Sequence, residues 1–217
     1  MSNKKYVIID LEMCNVPRSK RSKKYCCRNE IIEIGAALID ENLKIVDTFQ
    51  TYVSPEFGVL DDFIKNLTGI NDSDIADAPV IKEAIENFVK WIPEDATIVS
   101  WSESDKHQIL KELNSKEIDS PLLGSYIENW EDCQKEFSEK MNSSKIYNLS
   151  EALIIADIQF DENIHDGLVD AENTALLFIK MKKETSLKLS PYYSSDSSSE
   201  IPTYRPFANL LMNFKCV

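Results

Sequence analysis

Asp10 and Glu12 stand two residues apart in Tyr6-Val-Ile-Ile-Asp-Leu-Glu12, a run with the β-branched density of a buried strand. Side chains alternate faces along a strand, so both carboxylates project from the same side. Burying one charge is costly, and burying two like charges together calls for a compensating cation. The alternative is a strand end at which both carboxylates reach water. Asp105 lies just beyond a second apolar run, Thr97-Ile-Val-Ser-Trp101, where open α/β sheets gather ligands outside strand ends. Asp170 belongs to a late helical stretch, and His165 precedes it by five residues, near the turn that opens that stretch. Each of these also has an ordinary account: Asp105 as a helix cap, Asp170 as an exposed helix residue, His165 as a polar loop group.

The elements that must position these side chains follow from periodicity. After the first strand, Glu30-Ile-Ile-Glu-Ile-Gly-Ala-Ala-Leu-Ile39 reads as a second, and Asp40-Glu-Asn42 as a turn into a third from Leu43 to Val53. Three strands joined by short links predict an antiparallel start to a sheet. From Asp77 the period changes: Ile81, Ala84, Ile85, Phe88, Val89 and Ile92 form the stripe of an amphipathic helix, with Asp77 as its cap and Pro93 as its end. Thr97–Trp101 is then a short strand, and Asp105 opens a helix carrying Ile109, Leu110 and Leu113. Leu149–Ile158 and Leu168–Met181 are two further helices. Strands first, then helix and strand in alternation, predict an α/β layered domain over residues 1–183. Residues 184–217 are rich in Ser, Tyr and Pro and read as a flexible C-terminal tail, whose apolar end at Phe207–Phe214 offers a docking point for a protein partner.

Taken together, the order Asp-x-Glu, a distant Asp, then His-x-x-x-x-Asp resembles the DEDDh 3′→5′ exonucleases of the ribonuclease-H-like superfamily, which also includes proofreading subunits. The resemblance is carried by Ile9-Asp-Leu-Glu12 with Glu30-Ile-Ile-Glu-Ile-Gly35, by Ser100-Trp-Ser-Glu-Ser-Asp-Lys106, and by His165-Asp-Gly-Leu-Val-Asp-Ala-Glu-Asn-Thr-Ala175. Leu67-Thr-Gly-Ile70, followed by Ile75 and Pro79, is similar to the branch of RNA-trimming and sporulation-inhibitor-type exonucleases. The similarity runs over roughly residues 5–183. It implies a ribonuclease-H-like mixed β-sheet flanked by helices. It also implies that Asp10, Glu12, Asp105 and Asp170 hold two divalent metal ions, Mg²⁺ or Mn²⁺, which activate water and neutralise charge on the phosphate. Neutral His165 would take a proton from the attacking water.

The activity so implied is removal of nucleoside 5′-monophosphates from the 3′ end of single-stranded RNA or DNA, with RNA favoured. By analogy the terminal base would rest on Leu11, Met13, Leu67, Thr68 and Ile70; core packing is the competing role for Leu11 and Ile70. Ser104 departs from the aromatic residue often found before the third acid, and Met13-Cys14 follows the first motif where small or aromatic residues are frequent. His107 and Glu103 read as polar groups at the start of a helix. A proofreading-type exonuclease and a non-catalytic binding module of the same fold are the competing functions.

Charge sharpens the expected mode of binding. The 217 residues hold 37 Asp and Glu against 24 Lys and Arg, a net charge of −13, with 43% hydrophobic residues. That composition is globular and argues against a protein that coats polyanions. Yet Arg18-Ser-Lys-Arg-Ser-Lys-Lys-Tyr-Cys-Cys-Arg28 contains six basic residues and no acid, so taking them from −13 leaves −19 on the remainder. Lys20, Arg21, Lys23 and Lys24 are therefore the candidates for phosphate contact, beside the alternative of a solvated charge run. No apolar run approaches the roughly 18 residues of a membrane span, and no signal peptide opens the chain, so a cytoplasmic protein is expected. Five cysteines without zinc spacing are expected to be free thiols.

Overall fold

The computed structural model describes residues 4–23, 25–163, 165–191 and 193. Lys24 and the Ser-rich stretch of the expected tail, 194–217, lie outside the described residues. Strand β1 (Lys5–Asn15) is central: it pairs antiparallel with β2 (Asn29–Ile39), which pairs antiparallel with β3 (Ile45–Tyr52). On its other side β1 runs parallel to β4 (Ala96–Ser100), and β4 to the two-residue β5 (Glu131–Asp132). The order is β3-β2-β1-β4-β5. A parallel neighbour needs a crossover, and α1 (Asp62–Thr68), α2 (Asp72–Ala76) and α3 (Ile81–Trp91) supply it between β3 and β4. Helices α4 (Ser104–Ser115) and α5 (Pro121–Ile127) follow β4, and α6 (Cys133–Lys140), α7 (Leu149–Ile155) and α8 (Gly167–Lys183) follow β5. This is the mixed sheet flanked by helices that the resemblance implies, with the antiparallel start that the spacing of the first three strands predicts.

The two-residue period of β1 divides the molecule into two cores. Val7, Ile9 and Leu11 face one side, against Ile34 and Ala36 of β2, Ile85 and Phe88 of α3, and Ile109 and Leu113 of α4. Ile8 faces the other, with Ala37, Val99 and the α8 residues Ala175, Phe178 and Met181. Tyr6, on the same face, meets Phe178 edge-on at 4.8 Å between ring centroids. Tyr6, Ile8, Asp10 and Glu12 therefore form one row whose apolar half lies under the body of α8 and whose acidic half lies under its start.

Several boundaries differ from expectation for local reasons. Helix α3 begins at Ile81 with Val80 as its cap, and Asp77 instead ends α2. Pro79 explains this, because the residue before a proline is pushed to extended backbone and the proline has no N–H to give. The third strand spans Ile45–Tyr52 rather than reaching Val53. Past α8 the described chain stays on the domain: Leu187 is buried in the second core, and the Ser190 N–H donates to the Ile155 carbonyl at 2.8 Å. No helix among the described residues is long and apolar enough to cross a membrane. Cys14, Cys26, Cys27 and Cys133 are free thiols; Cys216 lies outside the described residues.

Candidate active site

The site is built where β1 and β2 pass under the first turn of α8. Asp10 lies opposite Gly35 and Glu12 opposite Glu33 in the ladder. Gly35 is required there by space alone: a Cβ at that position would lie 2.1 Å from the Gly167 carbonyl carbon and 2.2 Å from the Leu168 nitrogen. The helix start therefore rests directly on the sheet. Asp166 caps it, accepting from the Leu168 and Val169 N–H groups at 3.1 and 3.0 Å. His165, one residue earlier, has φ 68°, a left-handed conformation uncommon for a residue with a Cβ. Its N–H donates to Asp170 Oδ2 at 2.9 Å, tying the loop back to the first helical turn.

The result is a cluster contributed by three elements. Glu12, His165 and Asp170 each present a potential ligand atom within 4.8 Å of the others. Asp105, 5% exposed, enters from the first turn of α4. Burial, reinforced by Asp105, Asp170, Glu12 and Glu33, holds the Asp10 carboxyl well above the usual carboxylate range. Glu12 is pushed up to about 8, first by burial and then by Asp170, Glu33 and Asp105. Burial raises Asp105 to about 7 and raises Asp170 against the opposing pull of the His165 N–H. Like charges crowded into a low-dielectric site hold their protons unless a cation replaces them.

A divalent cation fits this donor set. Asp170 Oδ1 is buried without a hydrogen-bond partner, an orphaned acceptor of the kind that normally carries an energetic cost. Carboxylate oxygens are the ligands that hard ions such as Mg²⁺ and Mn²⁺ take, with room left for water and phosphate.

The expected substrate contacts are dispersed. Leu11 is 3% exposed and, with Met13, faces the first core, on the opposite side of β1 from the acids. Ile70 is also buried, beneath α1, with Ile64 and Cys14, so the side chains of Leu11 and Ile70 serve packing. Leu67 is exposed on α1, and the Thr68 hydroxyl donates to the Ile64 carbonyl at 3.0 Å, just before Gly69 ends the helix at φ 77°. Arg21 is committed to its own loop, its Nε donating to the Val16 carbonyl at 2.9 Å, whereas Lys20 and Lys23 are exposed. Two further residues receive no role from the sequence. Glu33 lies within the Glu30–Gly35 run that carries the resemblance, but its place beside the acids appears only once the strand register sets it opposite Glu12. Phe63, 68% exposed and one turn before Leu67, sits on a helix too short to show a period.

A family model described as Exonuclease (RNase_T) matches residues 7–178. This chain belongs to the exonuclease family. In chain order, Asp10, Glu12, Asp105, His165 and Asp170 resemble the pattern of the DEDDh branch of that family. Among relatives of this exonuclease domain, a PolC-type DNA polymerase III of Caldanaerobacter subterraneus subsp. tengcongensis is 32% identical over 81% of this chain and 11% of its own length. ERI1 exoribonuclease 2 of Homo sapiens is 28% identical over 87% of this chain and 30% of its own. The chain thus spans less than a third of those relatives. The DNA polymerase III subunit epsilon of Aquifex aeolicus is 27% identical, with 87% of each chain covered. In fold, the nuclease domain of 3′hExo, a DEDDh family member bound to rAMP, superposes with a TM-score of 0.71 at 22% identity, covering 86% of this chain and 96% of that one.

Proposed function

We propose that this protein is a metal-dependent 3′→5′ exonuclease that releases nucleoside 5′-monophosphates from single strands, RNA in preference to DNA. One observation carries the reading: four carboxylates from β1, α4 and α8 converge beside an imidazole, an arrangement that costs stability and serves no packing purpose. Asp10, Glu12, Asp105 and Asp170 would hold two divalent cations. When bound, such ions supply Lewis-acid neutralisation of the phosphate and a hydroxide-like nucleophile. His165 accepts the proton released by the attacking water, and the bond from its own N–H to Asp170 fixes where the ring is presented. Phe63 and Leu67, four residues apart and exposed on α1, are apolar candidates for stacking a terminal base, a contact tolerant of sequence because every base has a π-face. Lys20 and Lys23 offer phosphate contacts.

The RNA preference is supported by likeness to ERI1 exoribonuclease 2 and, in fold, to a 3′-exonuclease solved for its 3′-end specific recognition of histone mRNA stem-loop, which superposes with a TM-score of 0.69 at 20% identity. Similarity to PolC-type and epsilon polymerase subunits favours a second reading, proofreading of DNA. Purified protein incubated with 5′-labelled single-stranded RNA or DNA of one sequence, in Mn²⁺ or EDTA, decides between them. The expected outcome is a ladder shortening from the 3′ end in Mn²⁺ alone, faster on RNA. Intact substrate of both kinds would refute the proposal, and faster digestion of DNA would favour proofreading.

A further inference from the structure

We infer that Glu33 is a positioning residue that latches the start of α8 to the sheet and thereby sets where His165 and Asp170 stand over Asp10 and Glu12. The inference rests on the nuclease reading for its kinetic consequence, and on the hydrogen bonds alone for its structural one.

A helix begins with backbone N–H groups that have no partner within it. In α8 the Asp170 N–H already reaches the Asp166 carbonyl at 2.9 Å, leaving those of Gly167, Leu168 and Val169. The cap side chain of Asp166 satisfies Leu168 and Val169. The remaining donor, Gly167, turns instead to the sheet and meets Glu33 Oε2 at 3.1 Å, across 134 positions of sequence. The carboxylate is in turn held by Gln50 Nε2, which donates to Glu33 Oε1 at 2.7 Å from β3. Glu33 is 1% exposed, so its carboxyl is shielded from competing water. A negative group at a helix N-terminus is favoured by the helix dipole as well as by the bond itself.

The two glycines make the latch possible. Gly35, two residues along the same face of β2, leaves the space that the Gly167 carbonyl occupies; Gly167 lets the helix close on Glu33, since a Cβ there would lie 3.2 Å from Glu33 Oε2. His165 stands two residues before the latched amide and Asp170 three after it. A shift of that turn therefore moves the general base and one of the four acids together, while Asp10 and Glu12 stay on the strand. Misplacement of reacting groups by about 1 Å can cost roughly a hundredfold in rate.

The test compares Glu33→Ala, Glu33→Gln and Gln50→Ala in the full chain. Gln at position 33 keeps an acceptor for Gly167 and, with Gln50 turned over, a donor for it. Glu33→Ala is expected to lower kcat on a single-stranded oligonucleotide about a hundredfold with KM within about threefold, and to speed hydrogen exchange at the Gly167 amide. Glu33→Gln is expected to keep kcat within about fivefold and to retain that protection. Gln50→Ala, which frees the carboxylate without opening the core, should fall between them. The latch is overturned if the Gly167 amide exchanges alike in wild type and in the Glu33→Ala or Gln50→Ala protein. It is likewise overturned if Glu33→Gln is as slow as Glu33→Ala, which would make the charge rather than the bond the active feature. Should Glu33→Ala not fold, the exchange and kcat of Gln50→Ala and Glu33→Gln decide. Wild-type protein without nuclease activity would refute the nuclease reading and leave the exchange result to judge the latch.

Discussion

Removing a carboxylate from the acidic cluster changes stability and activity in opposite directions. Asp10→Asn replaces a carboxyl whose ionisation is opposed by burial and by its acidic neighbours with a neutral amide, so the metal-free protein is expected to melt higher than wild type in EDTA, while metal-dependent hydrolysis is lost. A scanning calorimetry trace and a cleavage assay on one preparation check both; retained turnover in Asp10→Asn would remove it from the catalytic set. His165→Ala leaves all four acids, and should lower kcat roughly 10²–10⁴-fold with little change in Mn²⁺ affinity by titration calorimetry. The raised carboxylates also set a pH dependence. Between the ordinary value of 4.5 and about 8, folded Glu12 keeps a proton that the unfolded chain has released, so the native state binds more protons. Metal-free stability must therefore fall as pH rises through that window, and added Mn²⁺ should stabilise most at its upper end. Melting temperatures at pH 5 and pH 8, with EDTA or Mn²⁺, test the sign.

At the scale of elements, the site depends on two close fits. Gly35→Ala drives a methyl into the backbone of α8, with backbone rather than a flexible side chain as the obstacle. It should cost at least about 2 kcal/mol in urea denaturation and lower activity in the folded fraction. The other fit anchors α4, which carries Asp105 at its start. At its far end Lys116 Nζ lies 2.6 Å from Glu30 Oε1 and 3.1 Å from Glu112 Oε1, all three side chains being buried. Glu30 also accepts from the Phe57 and Gly58 N–H groups, and Glu112 from that of Ile31 at 2.9 Å, so the triad joins α4, β2 and the loop after β3. Lys116→Met would strand two buried carboxylates and is expected to destabilise by about 3–5 kcal/mol, read from the denaturation midpoint. The strands and longer helices that present these groups are legible in sequence because their apolar residues recur at regular spacing. Short α1, α2, α5 and α6 and the two-residue β5 carry too few turns for a period, and α3 shows its stripe but not its start, because Pro79 rather than Asp77 decides where helical backbone begins.

For the whole molecule, a net charge of −13 and a basic loop beside the end of β1 predict local rather than long-range attraction to a polyanion. Neutralising Lys20 and Lys23, both exposed, should weaken single-strand binding and reduce the slope of log affinity against log salt by about one to two. Arg21, bound to Val16, should matter more for the loop's fold than for that slope. The sequence by itself determined the candidate set: strand alternation, a local rule, puts Asp10 and Glu12 on one face, and their order with the acid after β4 and the His165–Asp170 pair carries the family resemblance. Only the tertiary structure decided which neighbours complete the site. Glu33 comes opposite Glu12 through strand register, and Gly167 reaches Glu33 through a packing contact that spans most of the chain. Leu11 turns to the core while Phe63 turns to solvent. These are consequences of long-range contact and burial, which no local period encodes.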